Sequence, residues 1–259
     1  MSAAGEQAFA GFVAKWHARE PEMRVGEVFC PPPQRTVFRA WGALQHELRE
    51  AVFELSDPNV AMAKSGWWAE ELLALAQARP RHPVTQALAE AGGVPWAPLA
   101  GALIETVQVD ARPAGREAAF ADVQALAAAL ADAEAVLFGG AAADADARDA
   151  VATHLLAQRL LVGVGSEDRG RIPMHLQARH GLTGAQLAEE GGAPARRDWA
   201  GELIEALPAR LPQAPLYRRL RAAADRGRLR RAAAGRADAP AHPLAALLRS
   251  WRAARAGAR

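Results

Sequence analysis

Three glutamates in the segment 45–54 have a spacing suited to binding a hard cation. Glu47, Glu50 and Glu54 follow one another at intervals of three and four residues. On an α-helix this spacing turns the three side chains toward one face. Carboxylates gathered on one face can hold a divalent cation and, through it, a phosphate group. The alternative is a solvated acidic stripe, which is common on helix surfaces.

A second acidic pair, Glu167 and Asp168, lies in a polar, glycine-rich loop. Carboxylates from this loop would complete a cation site if the fold brought them opposite the first group. The alternative is an ordinary polar contact within the loop. A third acidic group is interpreted as structural, because it begins a predicted helix and acids there complement the helix dipole. It consists of Asp144, Asp146 and Asp149.

The composition favours helices as the elements that carry these residues. Alanine is abundant and favours helix interiors, whereas the residues typical of strands are sparse. The 31 basic and 29 acidic residues nearly balance, so the composition does not imply a general polyanion binder and gives no support to a nucleic-acid partner. Cys30 is the single cysteine, so an internal disulfide and a cysteine-based metal site are both excluded.

No secretory signal and no run of 18 apolar residues is visible, so we expect a cytoplasmic protein.

Asp57 is a predicted N-cap with Pro58 at the first helical position, and His82 with Pro83 opens another helix. The predicted helices cover residues 4–19, 34–55, 58–78, 82–91, 95–111, 116–138, 144–162, 199–207, 216–234 and 242–256, with short turns at 175–180 and 183–191. The sequence therefore predicts an all-α fold: one domain over residues 1–259, built as a bundle of about ten helices, with a frayed tail after about residue 251.

The segment 64–88 has the most distinctive pattern in the chain. Taken singly, its aromatic residues are typical of a core and its histidine of a helix cap. Its characteristic residues are Lys64, Trp67, Trp68, Glu71, Leu72, Pro80, His82, Pro83, Val84 and Leu88. Taken together, they resemble the squalene/phytoene synthase family. A second stretch, Gly170-Arg171-Ile172-Pro173 followed by His180-Gly181-Leu182-Thr183, is similar to a later motif of that family.

The resemblance implies a single helical bundle around a central apolar cavity. Enzymes of this family join two prenyl diphosphates head to head. Two aspartate-rich motifs hold Mg²⁺ ions that grip the diphosphates, and the cavity stays dry because water quenches carbocations. The implied catalytic residues are Glu47, Glu50 and Arg171. The implied diphosphate-binding or cavity-lining residues are Arg39, His46, Glu54 and Arg159, and the implied metal ligands are Glu47, Glu50, Glu167 and Asp168.

The same resemblance indicates that the acidic motifs have degenerated. In a gapless alignment the acids of the second motif fall on Val162, Gly165 and Ser166, and glutamates replace the aspartates of the first. Degenerate relatives exist, among them a mitochondrial complex I assembly factor. We therefore expect an impaired family member that binds a prenyl diphosphate or prenyl lipid, or acts as an assembly partner. The alternatives are an active synthase that uses Mg²⁺ and a helical scaffold without a ligand cavity.

A basic helix between Arg218 and Arg231 is the remaining feature of note. It lacks regularly spaced large apolar residues and interleaved aromatics, so it is not typical of a nucleic-acid-binding surface. One interpretation is peripheral contact with an anionic membrane. The other is a solvated basic face.

Overall fold

The computed structural model describes residues 3–109, 111–139, 142–162, 171–187, 189–237 and 239–256. Within these ranges the chain forms helices and no strand, which confirms the predicted all-α class. The helices are α1 (Ala3–Arg19), α2 (Pro21–Gly26), α3 (Arg35–Arg49), α4 (Pro58–Ala76), α5 (Pro83–Gln86), α6 (Trp96–Val107), α7 (Arg116–Leu137), α8 (Ala145–Val162), α9 (Met174–His180), α10 (Ala193–Ala206), α11 (Leu216–Ala233) and α12 (Pro243–Arg255). A π-helical turn, Glu50–Glu54, extends α3.

Local signals set several helix starts as predicted. The Asp57 carboxylate accepts hydrogen bonds from the backbone N–H groups of Asn59 at 2.8 Å and Val60 at 3.3 Å, so it caps α4. The His82 Nδ1 atom accepts from the Val84 N–H at 3.3 Å and caps α5. Both helices have proline at their first position. Proline has no backbone N–H, so this position has no donor that lacks a hydrogen-bond partner.

Two boundaries differ from the sequence prediction by five residues or more. Helix α5 ends at Gln86 instead of continuing to residue 91, and turns follow it. Helix α10 begins at Ala193, ahead of the predicted start at Trp199, because Pro194 is compatible with the first turn of a helix. Helix α12 ends at Arg255, one residue before the predicted end at residue 256.

Tryptophans form much of the bundle core. Trp16, Trp41, Trp68 and Trp199 are among the largest fully buried side chains. Trp67 was expected to be buried beside Trp68, but it is 41% exposed and lies edge-on against Trp68 and His82. The segment 64–88 thus fixes α4 to α5 through one buried indole and one half-exposed indole.

The interior between α3, α7, α8 and α11 is not purely apolar. The buried Glu134 carboxylate accepts hydrogen bonds from Trp41 at 2.9 Å, from Gln45 at 2.6 Å and from the Arg218 Nε at 2.8 Å. Beside it, Asp225 accepts from the Nδ1 of His154 at 3.0 Å. Ionic side chains at full burial require such pairing, because an unpaired charge there is costly. The expected apolar centre is therefore partly filled by ion pairs.

The basic helix predicted between Arg218 and Arg231 is largely internal, which corrects its interpretation as a solvated or membrane-facing surface. Arg218 and Arg221 are buried and pair with Glu134 and Glu20, and Arg231 donates to Glu22 at 2.7 Å. Of the arginines in this helix, only Arg230 is largely exposed. Arg218, Arg221 and Arg231 therefore neutralise acids from other parts of the chain.

Candidate functional site

The predicted acidic face lies where α3 passes into the π-helical turn. The side chains of Glu47 and Glu50 meet two ammonium groups there. Lys15 of α1 donates to Glu47 at 2.9 Å and to Glu50 at 2.5 Å. Lys64 of α4 donates to Glu50 at 2.7 Å, and its Nζ lies 3.8 Å from Glu47. Two carboxylates and two ammonium groups thus form a compact cluster, called here the lysine–glutamate cluster.

Charge pairing in the lysine–glutamate cluster shifts the pKa values of Glu50 and Lys15. Burial alone would raise the pKa of Glu50, but hydrogen bonds from Lys15 and Lys64 outweigh burial and lower that pKa to about 2. Burial likewise would lower the pKa of Lys15, but hydrogen bonds to Glu47 and Glu50 raise it. Near neutral pH, Glu50 is therefore a carboxylate and Lys15 an ammonium.

Glu54 does not join the other two glutamates. The π-helical turn adds a residue to one turn of the helix and rotates the residues beyond it about the helix axis. The Glu54 carboxylate lies 3.7 Å from the Nε of Arg49 and 3.5 Å from an Nη of Arg19. The spacing that predicted one shared face assumed a regular α-helix, so it does not hold beyond Glu50.

His46 is buried beside the lysine–glutamate cluster in its neutral form. Arg49 donates to the His46 Nδ1 at 3.1 Å, which leaves the proton on Nε2. Burial, reinforced by the charges of Arg49 and Lys15, lowers the pKa of His46 to about 3. Arg49 in turn donates to Glu20 at 2.9 Å in full burial. Arg49 therefore pairs with both Glu20 and Glu54.

Ligand atoms of His46, Glu47 and Glu50 lie within 4.8 Å of one another, close enough to hold a metal ion. The donor set does not suit Mg²⁺, however. Magnesium prefers an octahedral shell of oxygens, whereas one donor here is an imidazole nitrogen. Both carboxylates already accept hydrogen bonds from lysines, whose positive charges would repel the ion.

A cavity of about 680 Å³ opens next to the lysine–glutamate cluster. The π-helical turn joins them, because Val52 and Phe53 line the cavity while Glu50 faces the lysines. Its charged lining consists of Arg112, Arg159, Arg171 and Asp122, and its apolar lining includes Val52, Phe53, Leu55, Pro58, Ala61, Met62, Val107 and Val109. The cavity, called here the arginine cavity, has an excess of positive charge.

Two of the predicted site residues, Arg159 and Arg171, thus meet in the arginine cavity. The Arg159 guanidinium lies over the Phe53 ring, 4.9 Å from its centroid. Arg171 has a left-handed backbone with φ of 44°, which is uncommon for a residue with a side chain. Its Nη1 donates to the Val109 carbonyl at 2.7 Å, so the side chain is tied to the end of α6.

Asp122 and Arg112 complete the cavity and were not predicted. Burial raises the pKa of Asp122, although Arg159 and Arg171 oppose the rise. One of its carboxylate oxygens is buried without a hydrogen-bond partner among the described residues. Arg112 donates to the Ile172 carbonyl at 3.0 Å. Neither residue belongs to a motif, so no sequence signal pointed to them.

The remaining predicted residues lie elsewhere. Arg39 pairs with Glu27 at 2.8 Å and lines a separate groove between α1, α2 and α3. Glu167 and Asp168 lie outside the described residues, as do Gly165 and Ser166.

The lysines of the cluster were missed as site residues. The available signal was their rarity, because Lys15 and Lys64 are the chain's two lysines.

Comparison with protein-family models and with curated proteins finds no match. Solved structures do match over nearly the whole chain. A dehydrosqualene synthase crystallised with a ligand is 13% identical, with a TM-score of 0.67 and coverage of 96% of each chain. The squalene synthase HpnC from Alicyclobacillus acidocaldarius is 15% identical, with a TM-score of 0.55, over 100% of this chain and 94% of that one. The chain therefore has the fold of these synthases.

Proposed function

We propose, from that fold, that this protein binds a prenyl chain bearing a phosphate or diphosphate group and does not ionise it with Mg²⁺. The observation that carries the proposal is that lysines pair with the carboxylates of both Glu47 and Glu50. Lys15 and Lys64 supply positive charge next to the arginine cavity, where enzymes of this type use metal ions. The protein would then be a binding protein derived from a synthase.

The arginine cavity has the properties that such a ligand requires. Guanidinium groups bind phosphate oxygens through paired hydrogen bonds, and they keep their charge at any physiological pH. Arg112, Arg159 and Arg171 give the lining three positive charges against the one carboxylate of Asp122. The apolar wall formed by α4, α6 and the π-helical turn would take the hydrocarbon chain.

The runner-up is an active synthase that joins two prenyl diphosphates with Mg²⁺. The closeness of ligand atoms from His46, Glu47 and Glu50 favours it. It would require Lys15 and Lys64 to leave the carboxylates when substrate and metal enter. It also needs a second set of ligands, for which Glu167 and Asp168 are the candidates from the sequence.

Binding of farnesyl diphosphate, measured by titration calorimetry with EDTA and then with Mg²⁺, tests the first function. We expect the two dissociation constants to agree within about twofold and no release of inorganic diphosphate. Arg159→Gln should weaken binding about tenfold, which corresponds to ~1.4 kcal/mol. Arg24→Gln is the matched control, because Arg24 is exposed on α2 and lines a different groove.

Two outcomes would decide against this function. Release of diphosphate with Mg²⁺ would favour the active synthase, and no binding under either condition would favour a scaffold.

The double variant Lys15→Met/Lys64→Met gives an independent test, since it exposes Glu47 and Glu50 without counter-charges. We expect Mg²⁺ to raise the melting temperature of this variant and to leave that of the unmodified protein unchanged; the same rise in both would contradict the proposed role of the lysines.

A further inference from the structure

Helix α12 carries its large apolar side chains on the outside of the molecule. Leu244, Leu247, Leu248 and Trp251 are 69%, 40%, 45% and 43% exposed. Their spacing of three and four residues gathers them into one stripe. The opposite face, with Ala246 and Ser250 buried, packs against α11 and α2. Helices of soluble proteins normally have the reverse orientation, with the large apolar residues inward.

Arginines accompany this stripe. Arg252 and Arg255 are exposed on the same helix, and the Arg255 guanidinium lies 5.0 Å from the Trp251 ring centroid. Helix α12 contains no acidic residue. The groove between α11 and α12 is lined by Arg210, Arg219, Arg226, Arg230, Arg249 and Arg252, with no carboxylate in its lining.

Positive charge is also concentrated in the C-terminal part of the sequence, which includes α11 and α12. Residues 216–259 contain 12 arginines and 2 aspartates, whereas residues 1–215 contain 19 basic and 27 acidic residues. The two parts thus have net charges of +10 and −8, although the total is only +2. Some of these arginines form buried salt bridges, such as that of Arg218 with Glu134. Arg252 and Arg255 of α12 are exposed, as are Arg210 and Arg230 in the adjacent groove. Such charge asymmetry is typical of proteins that bind anionic surfaces.

We propose that the exposed face of α12 docks onto an anionic lipid bilayer. The stripe of leucines and Trp251 would enter the boundary between headgroups and acyl chains, while Arg252 and Arg255 contact lipid phosphates. None of the helices in the described ranges is long and apolar enough to cross a bilayer, so the contact is interfacial. This places membrane contact on α12 and not on the largely internal α11.

Charge argues against the other occupants of this face. A symmetric dimer through α12 would bring the arginines of two copies together, and their repulsion would oppose association. Negatively charged headgroups instead complement the same arginines. The inference does not depend on the ligand of the arginine cavity, since the two sites share no residue.

Co-sedimentation with vesicles tests the proposal. We expect the protein to bind vesicles of phosphatidylcholine and phosphatidylglycerol at a ratio of about 7:3 at least about tenfold more tightly than pure phosphatidylcholine vesicles. Raising the salt concentration should weaken this binding. The double variant Leu247→Gln/Leu248→Gln should lose at least about tenfold in affinity without a change in melting temperature, because both side chains are exposed.

The matched control is Leu73→Gln, because Leu73 is 42% exposed on α4, away from α12. It should bind vesicles as the unmodified protein does. Equal loss of binding in the control and the double variant would overturn the proposal, as would absence of binding to both kinds of vesicle. A dimer in sedimentation velocity that the double variant abolishes would also overturn it, because a second copy would then cover the face.

Discussion

His46 is a buried base that the fold keeps neutral, so it couples stability to pH. Its pKa falls from the usual value of 6.5 to about 3, because burial and the charges of Arg49 and Lys15 oppose protonation. In the unfolded chain the same imidazole takes up a proton below about pH 6.5. The unfolded state therefore binds more protons in this window, and the stability that neutral His46 permits is lost as the pH falls.

The prediction at this scale concerns the variant His46→Gln. Between pH 6 and pH 5, protonation of unfolded His46 should lower the free energy of unfolding by about 1 kcal/mol. The variant should show a pH dependence smaller by that amount, measured by urea denaturation at both pH values. An unchanged slope would mean that His46 is protonated in the folded protein. His175→Gln is a control, since His175 is only partly buried on α9.

Among the elements, α1 and α3 approach closely at a glycine. A Cβ atom on Gly42 would lie 2.3 Å from the ring of Trp16, which is fully buried. The crossing of these helices sets where Lys15, next to Trp16, meets Glu47 and Glu50. The contact therefore positions the lysine–glutamate cluster as well as the core.

Gly42→Ala should consequently destabilise the protein by about 1–3 kcal/mol through overpacking. Gly101→Ala is the matched control, because a Cβ on this exposed glycine of α6 meets nothing within 4 Å. There, alanine should stabilise the helix by about 0.5–1 kcal/mol. Chemical denaturation of both variants measures the difference, and equal stability changes would contradict the close contact.

Most element positions could be predicted because their signals are local. Asp57 with Pro58 and His82 with Pro83 act within one helical turn, and each starts a helix as the sequence indicated. The π-helical turn at Glu50–Glu54 could not be predicted, since no residue there demands it. It depends on packing against other helices, and it separates Glu54 from the other two glutamates.

At the scale of the whole molecule, Glu134 connects helices that are far apart in the sequence. It joins Trp41 and Gln45 of α3 to Arg218 of α11, in full burial. Glu134→Gln leaves the Arg218 charge unpaired, so the free energy of unfolding should fall by about 3–5 kcal/mol. The double variant Glu134→Leu/Arg218→Met, which removes both charges, should regain much of that loss in thermal or urea unfolding. If the double variant is as unstable as Glu134→Gln, an unpaired charge is not the cause.

Such long-range pairs mark the limit of prediction from this sequence. Nothing in the sequence near Glu134 or Arg218, 84 residues apart, distinguishes them from solvated surface charges. The spacing of the glutamates correctly predicted that Glu47 and Glu50 lie side by side, but not the position of Glu54. Their lysine partners depend on where α1 and α4 pack, which is a property of the tertiary structure.

Because the two lysines lie in one cluster, amine-directed reagents can modify this protein selectively. Reagents that acylate amines have three targets, Lys15, Lys64 and the α-amino group, because the sequence contains two lysines. Arginine side chains do not react with these reagents. The Lys15 side chain is 44% exposed and the Lys64 side chain 29% exposed, so both are within reach of a small reagent. Lysine labelling with mass spectrometry, which usually surveys a whole protein surface, would here report on one cluster beside the arginine cavity.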